Sequence, residues 1–416
     1  MKTSYLAVIA LCFVGETQAQ QYGLPQLEAQ FLQQNSELLA SKFNIERADA
    51  EIVQEKLWSN PTLSISEVNL WKTYQVEEQP FLFGKYGKNQ QISVELEQLI
   101  ETAGKRKKRI AVKELEKKNS IFEFEELLRE LKKELRQTYY SLGRLNQQEV
   151  QLKNMVDLFV QLQSQYEKQA QLQNIPKADF FRVQSELIGL QKEQIELQSE
   201  QTEMLSKLRL LTHNNMLSLE QLDFSSFKTI SNQFPIDLKE KAKEQNIGIG
   251  RQENAILLAE KQWKLEKAQR VPDMKFQVNY DRGGNIMRDF VGVGVSFDLP
   301  VFNTNKGNIK SSQLNIQQQK EVQNSLLMNL ETTIDRLQNQ LQILDKILSN
   351  DVSNHLEEQQ KMIENYRKHL NSKQINLLEF IDFTQAFREA QNAYLEMKEN
   401  HHNTREELQY IVGQDF

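Results

Sequence analysis

The sequence predicts a mainly α chain with a smaller share of membrane β, built as two internal repeats. Three observations predict it. Val94 to Arg109 lines up with Val295 to Lys310 at a constant offset of 201. In both segments the hydrophobic period changes from two, over Ile92, Val94, Leu96 and over Val291, Val293, Val295, Phe297, to a polar helical pattern after a turn bearing Gly or Asn. A strand therefore feeds directly into a long helix, twice. Third, Gly (15) and Pro (7) are scarce in 416 residues while Gln, Glu, Lys and Leu abound, the composition of long helices.

Composition narrows the function classes. With 39% hydrophobic residues and a mean hydropathy of -0.62, the chain offers no transmembrane helix beyond its N-terminus and is too polar for one compact core. A net charge of -6 over 51 basic and 57 acidic residues argues against a nucleic-acid partner. Residues 1–19 read as a secretory signal: Lys2, the apolar run Tyr5 to Val14, then Thr17-Gln18-Ala19 before Gln20. The only cysteine, Cys12, lies within that run behind Leu11, whereas a lipoprotein cysteine normally follows a small residue. The mature chain would then have no disulfide, so packing must stabilise it.

The first repeat covers 20–213. Its opening helical region carries Leu24, Leu27, Phe31, Leu38, Leu39, Phe43, Ile45, Ile52, Val53 and Leu57 at threes and fours and stops at Asn60-Pro61. A hairpin over 62–98 follows: Thr62 to Leu70 as one strand, Trp71 to Asn89 as a loop, then the strand through Val94. After a connector over 214–235, the second repeat covers 236–416. Its helix from Ile236 to Arg270 ends at Val271-Pro272, and its hairpin over 273–299 pairs Met274 to Tyr280 with Val291 to Phe297 through Arg282-Gly283-Gly284-Asn285. Pro61 to Val94 spans 33 positions against 23 from Pro272 to Val295, which puts ten extra residues in the first hairpin loop.

Strands of nine or ten residues suit a tilted crossing of a bilayer. Gly292 and Gly294 weaken an isolated strand, yet in a closed barrel small residues toward the lumen and valines toward lipid are compatible. Four strands cannot enclose an aqueous lumen, so a membrane barrel requires several chains.

Each hairpin leads to a long helix. Thr102 to Leu172 has no proline, with Gly104 in its opening turn and Gly143 as the one glycine in its interior, and Asn308 to Val412 has neither residue. A seventy-residue helix is about 100 Å long. Phe124, Leu128, Leu131, Leu135, Leu152, Met155, Phe159, Leu162 and Tyr166 form a coiled-coil seam. The helices turn back at Asn174-Ile175-Pro176 and between His369 and Gln374, giving return helices over Lys177 to Leu211 and Ile375 to Val412. The offset is now 200, seen in Tyr166/Tyr366, Phe180/Phe380, Leu208/Leu408 and Leu211/Ile411.

This order, with its Asn-Pro and Val-Pro entries, hairpins and helical turns, resembles the TolC-like outer-membrane efflux factor family over essentially the whole mature chain. Asn60-Pro61 with Thr62 to Leu70, and Asn89 to Arg109, resemble its metal-cation efflux branch, the CzcC and CusC type. The resemblance implies a homotrimer whose strands make a shared twelve-stranded outer-membrane β-barrel, continued by a long periplasmic α-helical barrel. It implies as partners a periplasmic adaptor protein, an inner-membrane pump of the resistance-nodulation-division class, and outer-membrane lipid. Export of heavy-metal cations is the leading function; multidrug efflux, type I secretion, or a periplasmic coiled-coil scaffold without a pore are the alternatives.

Several residues carry the site expectations. By resemblance, the periplasmic aperture falls at the helical turns, where Glu379 and Asp382 stand at i and i+3 on one helix face. Repeated around a threefold axis, they would form an acidic ring that attracts cations and gates by repulsion; ordinary solvated carboxylates are the competing reading. Asp179 is the analogue in the first repeat. Asn174, Ile175, Pro176, Asn371 and Ser372 stand at the adaptor-contacting tips, where the family usually has glycine. Lys105, Arg106, Lys107, Lys108 and Arg109 suit anionic lipid head groups or a plain solvated helix start. No nucleophile, phosphate loop or cofactor motif supports catalysis. The histidines His213, His355, His369, His401 and His402 are scattered and read as solvent-exposed, the adjacent pair pointing about 100° apart on a helix.

Overall fold

The computed structural model describes residues 21–66, 68, 91–228, 235, 237–283, 287, 289–349 and 352–416, with backbone alone for 349 and 352–360. The expected signal segment, the whole of the first hairpin loop, the tip of the second hairpin and the end of the connector lie outside them. Two compact units contain these elements, one formed by 1–39, 128–238 and 333–416, the other by 40–127 and 239–332.

The second unit holds the sheet. Strands β1 (Thr62–Ser66), β2 (Ser93–Ile100), β3 (Met274–Asp281) and β4 (Phe290–Phe297) form one antiparallel sheet in chain order. The second and third strands, 174 residues apart at their nearest ends, pair over all eight residues, from Ser93 opposite Asp281 to Ile100 opposite Met274. Helices α2 (Ser36–Lys56) and α7 (Ile247–Gln269) precede the two hairpins, and α3 (Lys105–Gln171) and α8 (Lys306–Ser349) follow them. Both entry helices stop ahead of their proline, as expected.

The sequence suggested one continuous helical region at each entry, and the structure corrects both. The first divides into α1 (Leu24–Gln34) and α2, the second into α6 (Leu238–Gln245) and α7. An asparagine causes each break. Asn35 Oδ1 accepts hydrogen bonds from the backbone N–H groups of Glu37 (3.1 Å) and Leu38 (3.0 Å), while its Nδ2 donates to the carbonyl of Leu211 at 3.1 Å. Asn246 Oδ1 accepts from Ile249 N at 2.9 Å. Such caps satisfy amides that a helix start leaves unpaired. Other limits also shift: β1 ends at Ser66 within the described residues, and the last helix, α10 (Leu377–Val412), begins two residues later than expected. The stretch expected as one helix from Asn308 is described as α8 and α9 (Val352–Asn371), with 350–351 outside the description.

In the first unit, helix packing supplies the core. The seam of α3 buries Leu152, Met155, Phe159 and Leu162 against Val183, Leu187 and Leu190 of α4 (Lys177–Thr212), with Leu370, Leu377, Phe380 and Phe387. Spacings of three and four place these apolar side chains on one stripe, and burial of each contributes about 1.5–3 kcal/mol. Gly143 of α3 has a specific use. The Phe227 ring of the short helix α5 (Ser225–Lys228) lies so close that an added Cβ would sit 2.8 Å from its Cγ. Phe227 is fully buried there. Gly143→Ala should therefore force this ring out and destabilise the protein by about 1–3 kcal/mol, read as a lower thermal midpoint with the helical circular-dichroism signal retained below it.

Candidate pore-wall, tip and joint residues

Strand register sorts the sheet into two chemically different faces. Three rungs, Leu63-Leu96-Val278-Val293, Ile65-Val94-Tyr280-Val291 and Ile100-Met274-Phe297, lie on one face with Gln98, Phe276 and Val295. Most of these apolar side chains are exposed, Val293 at 75% and Val291 at 66%. The alternate rungs, Thr62-Glu97-Gln277-Gly294 and Ser64-Glu95-Asn279-Gly292, make a polar face. On it Gln277 Nε2 donates to Glu97 at 2.8 Å, and Lys275 pairs with the same carboxylate at 3.1 Å. Both glycines lie on the polar face beside Gln277 and Asn279. Strands β1 and β4 leave two open edges.

The basic run is drawn inward more than the sequence suggested. Lys105 is buried and pairs with Asp273 at 2.8 Å. Arg109 bridges Glu55 (2.9 Å) and Glu101 (2.7 Å). Arg106 lies over the Trp58 ring at 3.9 Å, and the Lys108 ammonium donates to the Ala103 carbonyl. These contacts stitch the start of α3 to α2 and to the entry of β3, leaving Lys107 the exposed member of the run.

The two helical turns are built alike. In the first, Asn174 N donates to Gln169 O and Gln173 N to Ala170 O; in the second, Gln374 N donates to His369 O and Lys373 N to Leu370 O. This crossed pair of bonds is the Schellman helix ending. Its left-handed position is filled by Gln173 (φ 60°) and Lys373 (φ 58°), the residues that stand where glycine serves best and that sequence reasoning missed. Asn174, Pro176, Asn371 and Ser372 are exposed and Ile175 is half-buried.

The candidate carboxylates also acquire local roles. Asn376 Oδ1 accepts from Glu379 N at 2.9 Å, and the Glu379 carboxylate accepts from Asn376 N at 3.1 Å, a reciprocal capping box at the start of α10. Asp382 is exposed one turn on, and Asp179 is exposed in the first turn of α4. Deeper in the same unit Arg388 reaches Glu186 (3.7 Å) and Glu193 (3.4 Å), tying α10 to α4 beside a cavity of about 560 Å³. Because a left-handed side-chain-bearing residue is strained by about 1–2 kcal/mol relative to its right-handed form, Gln173→Gly and Lys373→Gly should each stabilise the turns, by roughly 0.5–1 kcal/mol after the added chain entropy of glycine. Denaturant titration of the two variants reads this directly.

A third group is a buried polar joint. Arg136 of α3 binds Glu28 of α1 (2.6 Å), Glu406 of α10 (2.8 Å) and Asp415 (3.1 Å), and Lys132 adds a contact to Asp415 at 2.6 Å. Burial raises the Glu406 carboxyl above its usual range against the pull of Arg136. Burial opposes ionisation of Asp415 too, but Lys132 and Arg136 together hold it below the ordinary value. His401 and His402 belong to this joint, and the expectation that they are solvent-exposed was wrong: they are 0% and 5% exposed. His402 stacks on Tyr140 with centroids 4.3 Å apart and bonds the carbonyl of Phe227 at 3.1 Å; His401 bonds Asp345 at 2.8 Å, and its Nδ1 has no partner. Their apolar partners, continuing the α10 stripe, were the available signal.

Burial, with Lys398 and Arg405 nearby, pushes His402 down to about 4, and burial lowers His401 despite Asp345. A histidine whose folded pKa lies below the unfolded value of about 6.5 gives stability that is intact above that value and lost as pH falls toward the folded pKa. The thermal midpoint should therefore fall between pH 6.5 and about pH 4, and His402→Gln should flatten that slope. Glu406, whose carboxyl is raised, contributes the opposite slope and remains in the variant.

Among the described residues no helix is long and apolar enough to cross a membrane, and no three His, Cys, Asp or Glu side chains converge to hold a metal. No protein-family model matches the sequence, and no curated protein matches it. Solved structures do match the fold. CusC, described in connection with folding and transmembrane channel formation, superposes with a TM-score of 0.76 at 15% identity, covering 94% of this chain and 92% of that one. The CmeC outer membrane channel of Campylobacter jejuni gives 0.75 at 14% identity, covering 94% and 85%. The open-state MtrE outer membrane channel of Neisseria gonorrhoeae gives 0.73 at 14%, covering 94% and 89%. The chain has the fold of these outer-membrane channels.

Proposed function

We propose that the protein is the outer-membrane exit duct of a tripartite export system. The observation that carries this reading is the two-faced sheet: an exposed apolar face for lipid, a polar face with two glycines for a lumen, and two open edges. Edges unpaired in hydrocarbon cost several kcal/mol per group, so β4 of one copy pairs with β1 of the next, and three copies close twelve strands. The likeness in fold to known channels supports the same reading. The protein performs no catalysis. It works with a periplasmic adaptor and an inner-membrane pump, the helical turns serving as the contact end.

Heavy-metal cations are the proposed cargo, supported by the local likeness of residues 60–70 and 89–109 to the metal branch and by CusC among the matching folds. With no cluster of metal-binding side chains among the described residues, cation preference belongs to the pump, and the duct contributes charge. Glu379 and Asp382 of three copies are the proposed acidic ring. Because Glu379 also caps α10, charge is best removed with Glu379→Gln/Asp382→Asn, which preserves the capping geometry. In planar bilayers the wild-type protein should form a cation-selective pore, and the double variant should keep its conductance while its cation-to-anion permeability ratio moves toward one. Absence of conductance from folded trimers would overturn the duct. Loss of tolerance to zinc, cadmium or copper on gene deletion, with drug tolerance unchanged, would establish the cargo.

A further inference from the structure

The cavity of about 560 Å³ beside Arg388 is walled by side chains of α3, α4, α9 and α10, all within the first unit. Leu152, Met155, Leu197 and Phe387, each buried, make the apolar part of that wall. Its size and lining suit a small organic ligand. The polar part is unevenly satisfied. Arg144 donates to Gln148 and pairs with Glu200, both at 2.6 Å; Arg388 pairs with Glu193 at 3.4 Å; and the exposed Glu196 pairs with Lys192 at 3.1 Å. Two charged wall groups on α9, Glu364 and Arg367, have no hydrogen bond or ion pair among the described residues. Glu364 is exposed and solvated, whereas Arg367 is half-buried. Gln391 of α10 lines the same cavity; it is 8% exposed, and its amide has no hydrogen-bond partner among the described residues. A buried amide left unpaired costs stability that a leucine in its place would not. Packing alone gives no reason for a glutamine there.

We propose that this cavity binds a small amphipathic organic anion, its apolar body against Leu152, Met155, Leu197 and Phe387 and its acidic group held by Arg367 and Gln391. The sign of the charge follows from the wall. Its carboxylates are either paired with a cation or exposed to water, and Arg367 is the half-buried charge that lacks a counter-ion among the described residues. A guanidinium and a primary amide together offer N–H donors to both oxygens of a carboxylate, and a charge-assisted bond in a partly desolvated site is among the stronger ones. The site lies within one chain and goes beyond the export reading, since it does not depend on barrel closure. Because all four helices contribute to the wall, a bound anion bridges them and stabilises the folded unit by mass action.

Fluorescent probes that share one aromatic body and differ in charge test it on the full chain in phospholipid nanodiscs, with empty discs as the reference. Dansylglycine carries a carboxylate, dansylamide is neutral, and dansylcadaverine is a cation. The expected result is saturable binding of dansylglycine, tighter than that of either relative by about tenfold, the worth of one charge-assisted hydrogen bond. Arg367→Gln should remove that preference and leave dansylamide binding unchanged. Gln391→Leu should weaken dansylglycine binding while raising the thermal midpoint of the ligand-free protein. Equal binding of the three probes, or dansylglycine binding that neither substitution alters, overturns the site in favour of adsorption to lipid or to the protein surface. Absence of saturable binding above empty discs also overturns it, the outcome expected if a second copy or a partner helix fills the cavity. A Gln391→Leu variant that is less stable and binds dansylglycine normally overturns the role given to that amide.

Discussion

Hydrogen-bond closure of a four-stranded sheet is the constraint on which the rest depends. All four strands are paired internally, but β1 and β4 each expose a row of backbone donors and acceptors, and one face is largely apolar. In water such a sheet would be a template for uncontrolled association. In hydrocarbon it would be untenable unless another copy completes the ladder. In the proposed duct, oligomeric closure and membrane placement are one requirement seen from two sides, and neither is met by adding more core to the chain. The glycines of β4 fit the same logic. They cost strand stability, yet on the polar face they leave room beside Asn279 and Gln277, where an added Cβ at Gly292 would collide with the Asn279 side chain at 2.3 Å.

Much of the fold was legible because period is a strong signal where one face must be apolar. Alternation placed β2, β3 and β4 within a residue or two, and proline marked the ends of α2 and α7. What the sequence hid were the breaks at Asn35 and Asn246. Their helical apolar pattern continues on both sides, and an asparagine in mid-pattern is only weakly unfavourable to a helix. The deciding partner of Asn35 is the carbonyl of Leu211, remote in sequence and visible only in three dimensions. The two asparagines stand 211 residues apart, the same interval as Pro61 and Pro272, so the break and the entry proline belong to one recurring helix-to-strand device.

The candidate site was legible in position and not in role. The turns were found from Asn174-Ile175-Pro176 and from the segment after His369, but glycine was sought at residues that do not adopt the left-handed conformation. Gln173 and Lys373 bear it instead, and side chains there make the tips polar and bulky where a glycine would be bare. Glu379 was read as a free carboxylate, whereas its oxygens first satisfy the N-terminus of α10. A capping carboxylate is fixed in direction by the backbone, so any ring it forms has its geometry set by helix placement. In the proposed duct, rotation of α10 would move that charge directly and so couple the width of the proposed aperture to its electrostatics without a separate gating residue.

The buried joint shows how a long helix pair avoids sliding. A heptad seam of leucines and phenylalanines is nearly degenerate under a one-heptad shift, since one leucine fills another's hole almost as well. Arg136 removes that degeneracy: displaced, it would leave the buried Glu406 without its cation, and loss of one partner from a buried pair costs about 3–5 kcal/mol. His402 and the Gly143–Phe227 contact add register marks in the same unit, one by a directed bond to the connector backbone and one by shape. Desolvating these groups makes the joint a poor source of net stability. Its value is specificity: apolar packing holds the helices together, while a few costly polar contacts fix the register at which they meet.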